Sequence, residues 1–164
     1  MAESFDDAIL QKNPEKALQL LHATPDPIPE NLLAKALIGS SMRGYTKMME
    51  LLLEKGAAVD TLHGGGSALM AAAACGQPKA AALLLSRGAD PNVRGAEGMT
   101  PLMWAAQSGI EDREAIRTNL QLLLKAGANP RLKQNDGRTA LDIAVMRKNL
   151  DAVEILKDGT DDSS

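Results

Sequence analysis

Groups able to do covalent or metal chemistry are scarce in this 164-residue chain: one cysteine, Cys75, and two histidines, His22 and His63. A nucleophilic thiol needs an adjacent base and a third group that orients the base. Cys75 with His63 is the only conceivable pair, and no acidic or amide orienter follows from the spacing. A metal centre needs three or four ligands at suitable intervals, and one cysteine with two distant histidines does not supply them. Gly64-Gly65-Gly66 is no phosphate loop, because no Lys-Ser/Thr follows it and no strand precedes it. No catalytic residue, no cofactor and no metal site is therefore expected.

Regular spacing belongs instead to small and apolar residues. From Gly98 the chain reads GMTPLMWAAQSG, then an outer segment ending QLLLKAGAN at Asn129. Thr100 suits a helix N-cap and Pro101 its first turn, where a missing N–H costs nothing. Leu102, Trp104, Ala105 and Ala106 make a short apolar helix that Gly109 is expected to stop. A second helix carries Leu120 and Leu122–Leu124 and stops at Gly127. If the glycine closing the first helix is a register mark, its equivalents are Lys12, Gly44, Gly76, Gly109 and Lys148, at spacings of 32, 32, 33 and 39 residues. Leu51–Leu53 and Leu83–Leu85 repeat the outer triplet, followed at one offset by Gly56 and Gly88 as further helix stops. Ser40/Ser41, Ala72/Ala73, Ala105/Ala106 and Ala144/Val145 fill the positions where paired helices must approach closely. Trp104 reads as packing against its neighbours.

The pattern TPLMWAAQSG…LLLKAGANP resembles the ankyrin repeat, whose box is T-P-L-H-x-A-A-x-x-G and whose period is about 33 residues. The resemblance covers about Glu3–Gly159. It implies an all-α solenoid of about five helix-turn-helix repeats joined by β-turn hairpins, near 3–28, 29–61, 62–94, 95–133 and 134–159. These form one domain over 1–159, with 160–164 as an acidic, disordered tail. The first pair, with Asp6 and Asp7, and the last, polar around Asp151, Glu154 and Lys157, look like caps. Pro25-Asp26-Pro27-Ile28-Pro29 reads as a rigid connector after the first pair.

Three departures stand out. Met70, Met103 and Asp142 replace the box histidine, which implies a weaker polar network between repeats. The Gly64-Gly65-Gly66 hairpin is one residue short and should be flexible or reshaped. The fourth repeat carries about six extra residues within Ile110–Thr118. As structure, this insert adds a helical turn whose Glu111, Asp112 and Glu114 suit a helix N-terminus. As function, Ile110, Glu111, Asp112, Arg113 and Glu114 form a second contact surface. Both readings stay open.

Composition narrows the partner. Net charge is −3 with both signs interspersed, so no nucleic-acid footprint is expected. The longest apolar run is Ala68–Cys75, too short for a membrane span. MAESFDD shows no basic stretch leading into an apolar core, so no signal peptide is expected. The compartment stays open between cytoplasm and, for a chain whose leader has been removed, periplasm. In ankyrin proteins, partners dock on hairpin tips and the inner-helix face. The resemblance places Met42, Arg43, Ala74, Cys75, Gln107, Ser108, Met146 and Arg147 on that face, and His63, Arg94, Glu97, Met99, Lys133, Asn135, Asp136 and Arg138 at the tips. It implies a non-enzymatic protein–protein interaction module, monomeric when free, that inhibits or regulates its partner. The sharper form is an immunity protein occluding a bacterial hydrolase. The alternative is an adaptor or assembly chaperone that holds a partner without inhibiting it.

Overall fold

The computed structural model describes residues 14–23 and 27–161. Within them the helices are α1 (Pro14–Ala23), α2 (Glu30–Arg43), α3 (Thr46–Glu54), α4 (Ala68–Ala74), α5 (Pro78–Ser86), α6 (Pro101–Ala106), α7 (Arg113–Lys125), α8 (Ala140–Arg147) and α9 (Leu150–Asp161). The inner helix expected before α1, with Lys12, and the residues Pro25 and Asp26 lie outside the described set. Among the described residues there is no strand beyond an isolated bridge between His63 and Gly66. The inner helices α2, α4, α6 and α8 pack side by side, each backed by its outer partner α3, α5, α7 or α9. The solenoid expected from the repeats is the architecture found.

Its local causes are repeated too. Ser67, Thr100 and Thr139 cap their inner helices by accepting from the N–H groups of Met70, Met103 and Asp142 at 3.3, 3.4 and 3.3 Å. Ser40, Ser41, Ala72, Ala73, Ala105, Ala106 and Ala144 are all fully buried, so inner and outer helices approach through small side chains. Of each leucine triplet, one residue faces fully inward: Leu52, Leu84 and Leu123. Each such burial contributes about 1.5–3 kcal/mol. Every triplet helix then ends at a positive-φ glycine (Gly56, Gly88, Gly127). There the next N–H returns to the buried leucine's carbonyl, as Ala57 does to Leu52 at 3.0 Å.

The polar links between repeats are present, but on other residues than the missing histidine. Asp60 accepts from Asp90 N at 3.1 Å, and Asn92 accepts from Asn129 N at 2.7 Å one repeat later. Asn119 donates to Ala72 and Ala73 carbonyls, and Asn149 to Ala106 O. Met70 and Asp142 act locally, their Sδ and carboxylate accepting from the N–H of their own N-cap residues.

The glycine-rich hairpin is reshaped. His63 and Gly66 exchange both backbone hydrogen bonds across Gly64 and Gly65, which hold φ of +62° and +82°. That is a two-residue turn with positive φ at both centres, and it absorbs the missing residue.

Several expectations are corrected. Gly109 is not a left-handed helix stop; α6 ends at Ala106 with Gln107 as C-cap. The insert reroutes the chain there, and Ile110 lies over Gly76, where there is no room for a Cβ. Lys148, by contrast, does adopt the left-handed conformation, at φ +56°. Of the polar residues expected on the last outer helix, Glu154 and Lys157 are exposed, but Asp151 is not. Asp151 is buried and turns back onto Arg113 and Arg117, and Glu154 also reaches Arg117. The exposed end carries Val145, 57 % accessible, although its register equivalents Ser41, Ala73 and Ala106 are fully covered by the following repeat. Nor does the helix stop before a tail at 160. It runs through Gly159 to Asp161, and Gly159 lies so near Leu124 that a Cβ there would meet it at 3.3 Å. Residues 162–164 lie outside the described set.

Candidate protein-binding site

The concave face is built where the hairpin tips meet α2, α4 and α6. On an inner helix, positions five, two and one before the register mark share a face, because residues three and four apart neighbour each other. Ala71 and Ala74 on α4 and its C-cap Cys75, with Trp104 and Gln107 of the next repeat, accordingly line one cavity of about 620 Å³. Met42 and Ile38 bound it on the side of α2, Met70 adds to it from α4, and His63–Ser67, Ala96, Glu97 and Met99 come from the hairpins. A second cavity of about 240 Å³ follows along the groove, lined by Gln107, Gln134, Arg138, Ile143, Met146 and Arg147. Gln107 and Gln134 belong to both.

Of the expected residues, Met42, His63, Ala74, Cys75, Glu97, Met99 and Gln107 come together in the first cavity, and Arg138, Met146 and Arg147 join Gln107 in the second. Met42 and Met146 are exposed, at 43 and 60 %. Met99 is a correction as a tip residue: it is only 7 % exposed and works as cavity floor rather than as a projecting contact. Ser108 is spent on Ala74 O, to which its hydroxyl donates at 2.7 Å. The outer tip residues tie hairpin to hairpin: Arg94 donates to Lys133 O at 2.7 Å, and Asn135 N to Glu97 O at 2.8 Å. Asp136 pairs with Arg138, whose Nε donates to it at 2.6 Å. That side-chain bond is the main cause pushing the Asp136 carboxyl down to about 2.

Chemistry at Cys75 has no support. Burial pushes its thiol up, with the Arg43 charge opposing, so the neutral, weakly nucleophilic form prevails at neutral pH. No hydrogen bond to His63 is present among the described residues. Those residues also hold no group of three or more His, Cys, Asp or Glu placed to bind a metal ion, and no helix long and apolar enough to cross a membrane.

The insert is largely taken up by the fold. Asp112 caps α7 by accepting from Ala115 N at 3.0 Å, and Ile110 packs against the core. Arg113 donates to Asp151 at 2.6 and 3.1 Å, and Arg117 bridges Asp151 and Glu154 at 3.0 and 3.1 Å. These arginines hold the Asp151 carboxyl below its usual range, Arg113 first. Glu111 and Glu114 stay exposed.

Trp104 is the groove residue that sequence reasoning missed. It is half-buried, packs on the core and lines the first cavity, and its indole N–H has no acceptor among the described residues. The signal was available, since Trp104 stands at the register position of Ala71 and shares a face with Gln107 and Ser108.

Comparison with known proteins agrees with this architecture. The family model for ankyrin repeats (3 copies) matches residues 6–95 and 87–163. An ankyrin repeat-containing protein of Treponema pallidum (strain Nichols) is 44 % identical over 99 residues, covering 59 % of this chain and 31 % of its own length. The ankyrin repeat and SOCS box protein 16 of Mus musculus is 47 % identical over 60 residues, covering 37 % of this chain and 13 % of its own. The palmitoyltransferase Hip14 of Drosophila melanogaster is 31 % identical over 164 residues, covering 78 % and 25 %. The chain thus spans less than a third of the length of each of these relatives. Repeats of this kind are protein–protein interaction modules and are generally non-enzymatic, although some relatives are multidomain enzymes. With the matches extending over nearly all of its length, the stacked helix pairs and the repeated caps, the chain belongs to the ankyrin repeat family.

Proposed function

We propose that this chain acts without catalysis of its own, docking one partner protein on its concave face and thereby inhibiting or regulating it. The carrying observation is the apolar cavity of about 620 Å³, to which four successive repeats contribute side chains. Conserving a helix stack does not require Met42, 43 % exposed, or Gln107 to face it; an anchor side chain of a partner would bury them. The sharper form of the reading is occlusion of a hydrolase, as an immunity protein would do. The adaptor reading needs a second surface, and the insert offers less of one now that Ile110, Asp112 and Arg113 are committed within the chain.

The test uses two paired variants in a capture from native extract, with captured enzymes then assayed. Met42→Glu/Gln107→Glu alters the groove, and Glu50→Arg/Gln121→Arg alters exposed positions of the outer helices. The proposal expects one partner lost by the first pair and kept by the second, with its activity suppressed by saturating wild-type chain. Loss by the outer pair alone would overturn groove docking, and full activity at saturation would leave an adaptor.

A further inference from the structure

The two cavities differ in character although they share a wall. The first is walled mainly by Met42, Met70, Ala71, Ala74, Met99 and Trp104. The second has two arginines, Arg138 and Arg147, and no carboxylate in its lining. Arg138 is balanced by Asp136. Arg147 is exposed on the last turn of α8 and makes no ion pair among the described residues. The polarity of the groove is therefore directional: apolar at α4–α6, cationic at α8, with the amides of Gln107 and Gln134 between.

We propose that the groove takes an extended segment of the partner bearing an apolar anchor and, about three residues away, a carboxylate. This rests on the concave docking proposed above and names its chemistry. The anchor enters the first cavity beside Met42 and Trp104. The carboxylate pairs with Arg147, whose planar guanidinium binds carboxylates by two parallel hydrogen bonds. Gln107 and Gln134 face the intervening backbone, able both to donate and to accept. The spacing follows from geometry. Adjacent inner helices lie about 8–10 Å apart, and an extended chain advances about 3.3 Å per residue. The opposite orientation sets the carboxylate against Glu97 in the first cavity and leaves Arg147 facing an apolar group. A basic segment is disfavoured by Arg147 directly.

The experiment is a random dodecapeptide display selection on the whole chain, wild type and Arg147→Glu, with Arg147→Gln as the neutral variant and folding of each checked by circular dichroism. Trp104 is the sole tryptophan, so its fluorescence reports binding of synthetic selected peptides in the groove. Wild type is expected to select an apolar residue followed or preceded at two to four positions by Asp or Glu. Replacing that acid by its amide should weaken binding about tenfold, and by much less on Arg147→Gln. The Arg147→Glu chain should keep the apolar anchor and lose the acid. Groove-bound peptides, blocked by Met42→Glu, that carry no acid or bind Arg147→Glu equally would overturn this inference and leave groove docking standing. Selection of no peptide that perturbs Trp104 would overturn both.

Discussion

At the scale of single residues, two side chains hold positions that the rest of the molecule makes costly. Asp60 staples its repeat to the next by accepting from Asp90 N, yet its carboxyl is pushed up, first by burial and then by the nearby Asp90 charge, against the hydrogen bond. A raised folded value means that the contribution to stability is complete below the unfolded value, near 3.9, and is lost as pH rises through the folded one. Asn92 does the same work one repeat later without a charge. Asp60→Asn should therefore stabilise the chain by about 0.5 kcal/mol at pH 7, and not at all at pH 3.5, in urea titrations at the two pH values. Lys148 holds a left-handed conformation that costs a side-chain-bearing residue about 1 kcal/mol. Lys148→Gly should raise stability by about 0.5–1 kcal/mol, partly offset by glycine's greater unfolded freedom. That position was legible as a register mark from spacing alone. The exposure of Val145 was not, because the pattern within a repeat does not say which neighbour covers it.

At the scale of elements, the insert shows how much of the fold a repeat pattern reveals. The extra turn and its Asp112 cap were readable from IEDREAIRT, because acidic residues before an apolar run mark a helix start. Its destination was not. The pairing of Arg113 and Arg117 with Asp151 joins residues more than thirty positions apart, and no local periodicity encodes that contact. Nor did spacing reveal that Ile110 would fill the space over Gly76. Gly76→Ala should cost about 2–4 kcal/mol, combining left-handed strain with overpacking. Gly56→Ala, at positive φ but facing open space, should cost only about 1 kcal/mol. Adding Ile110→Ala to Gly76→Ala should recover stability, a coupling that a double-mutant cycle measures. The acid limb of stability belongs to this scale as well. Asp136, Asp142 and Asp151 all have lowered carboxyl values, owing first to Arg138, to the Thr139 N–H and to Arg113 respectively. Such groups stabilise fully above the unfolded value and lose that contribution as pH falls through the folded one. The melting temperature should fall as pH drops from 5 toward 2, and Asp151→Asn should flatten that slope while lowering the plateau.

At the scale of the whole molecule, the stacked repeats make a continuous concave surface, and binding is read from what that surface leaves unfilled. Small residues at inner-helix positions were plain in the sequence, and they set how closely the helices stack. The cavity itself needed three dimensions, since Met42, Met70 and Trp104 come from three repeats and meet only after stacking. The groove's change from apolar to cationic along its length likewise emerges from register, each repeat contributing one pair of facing residues. The central claim, that a partner seats on this face, is tested most directly by site-specific photo-crosslinking. A photoreactive amino acid is placed in turn at Met42 and Gln107 in the groove, and at Glu50 and Gln121 on the outer helices, then irradiated in native extract. Groove docking predicts a discrete protein adduct from Met42 and Gln107 and none from the outer positions. Adducts from Glu50 or Gln121 alone would contradict it.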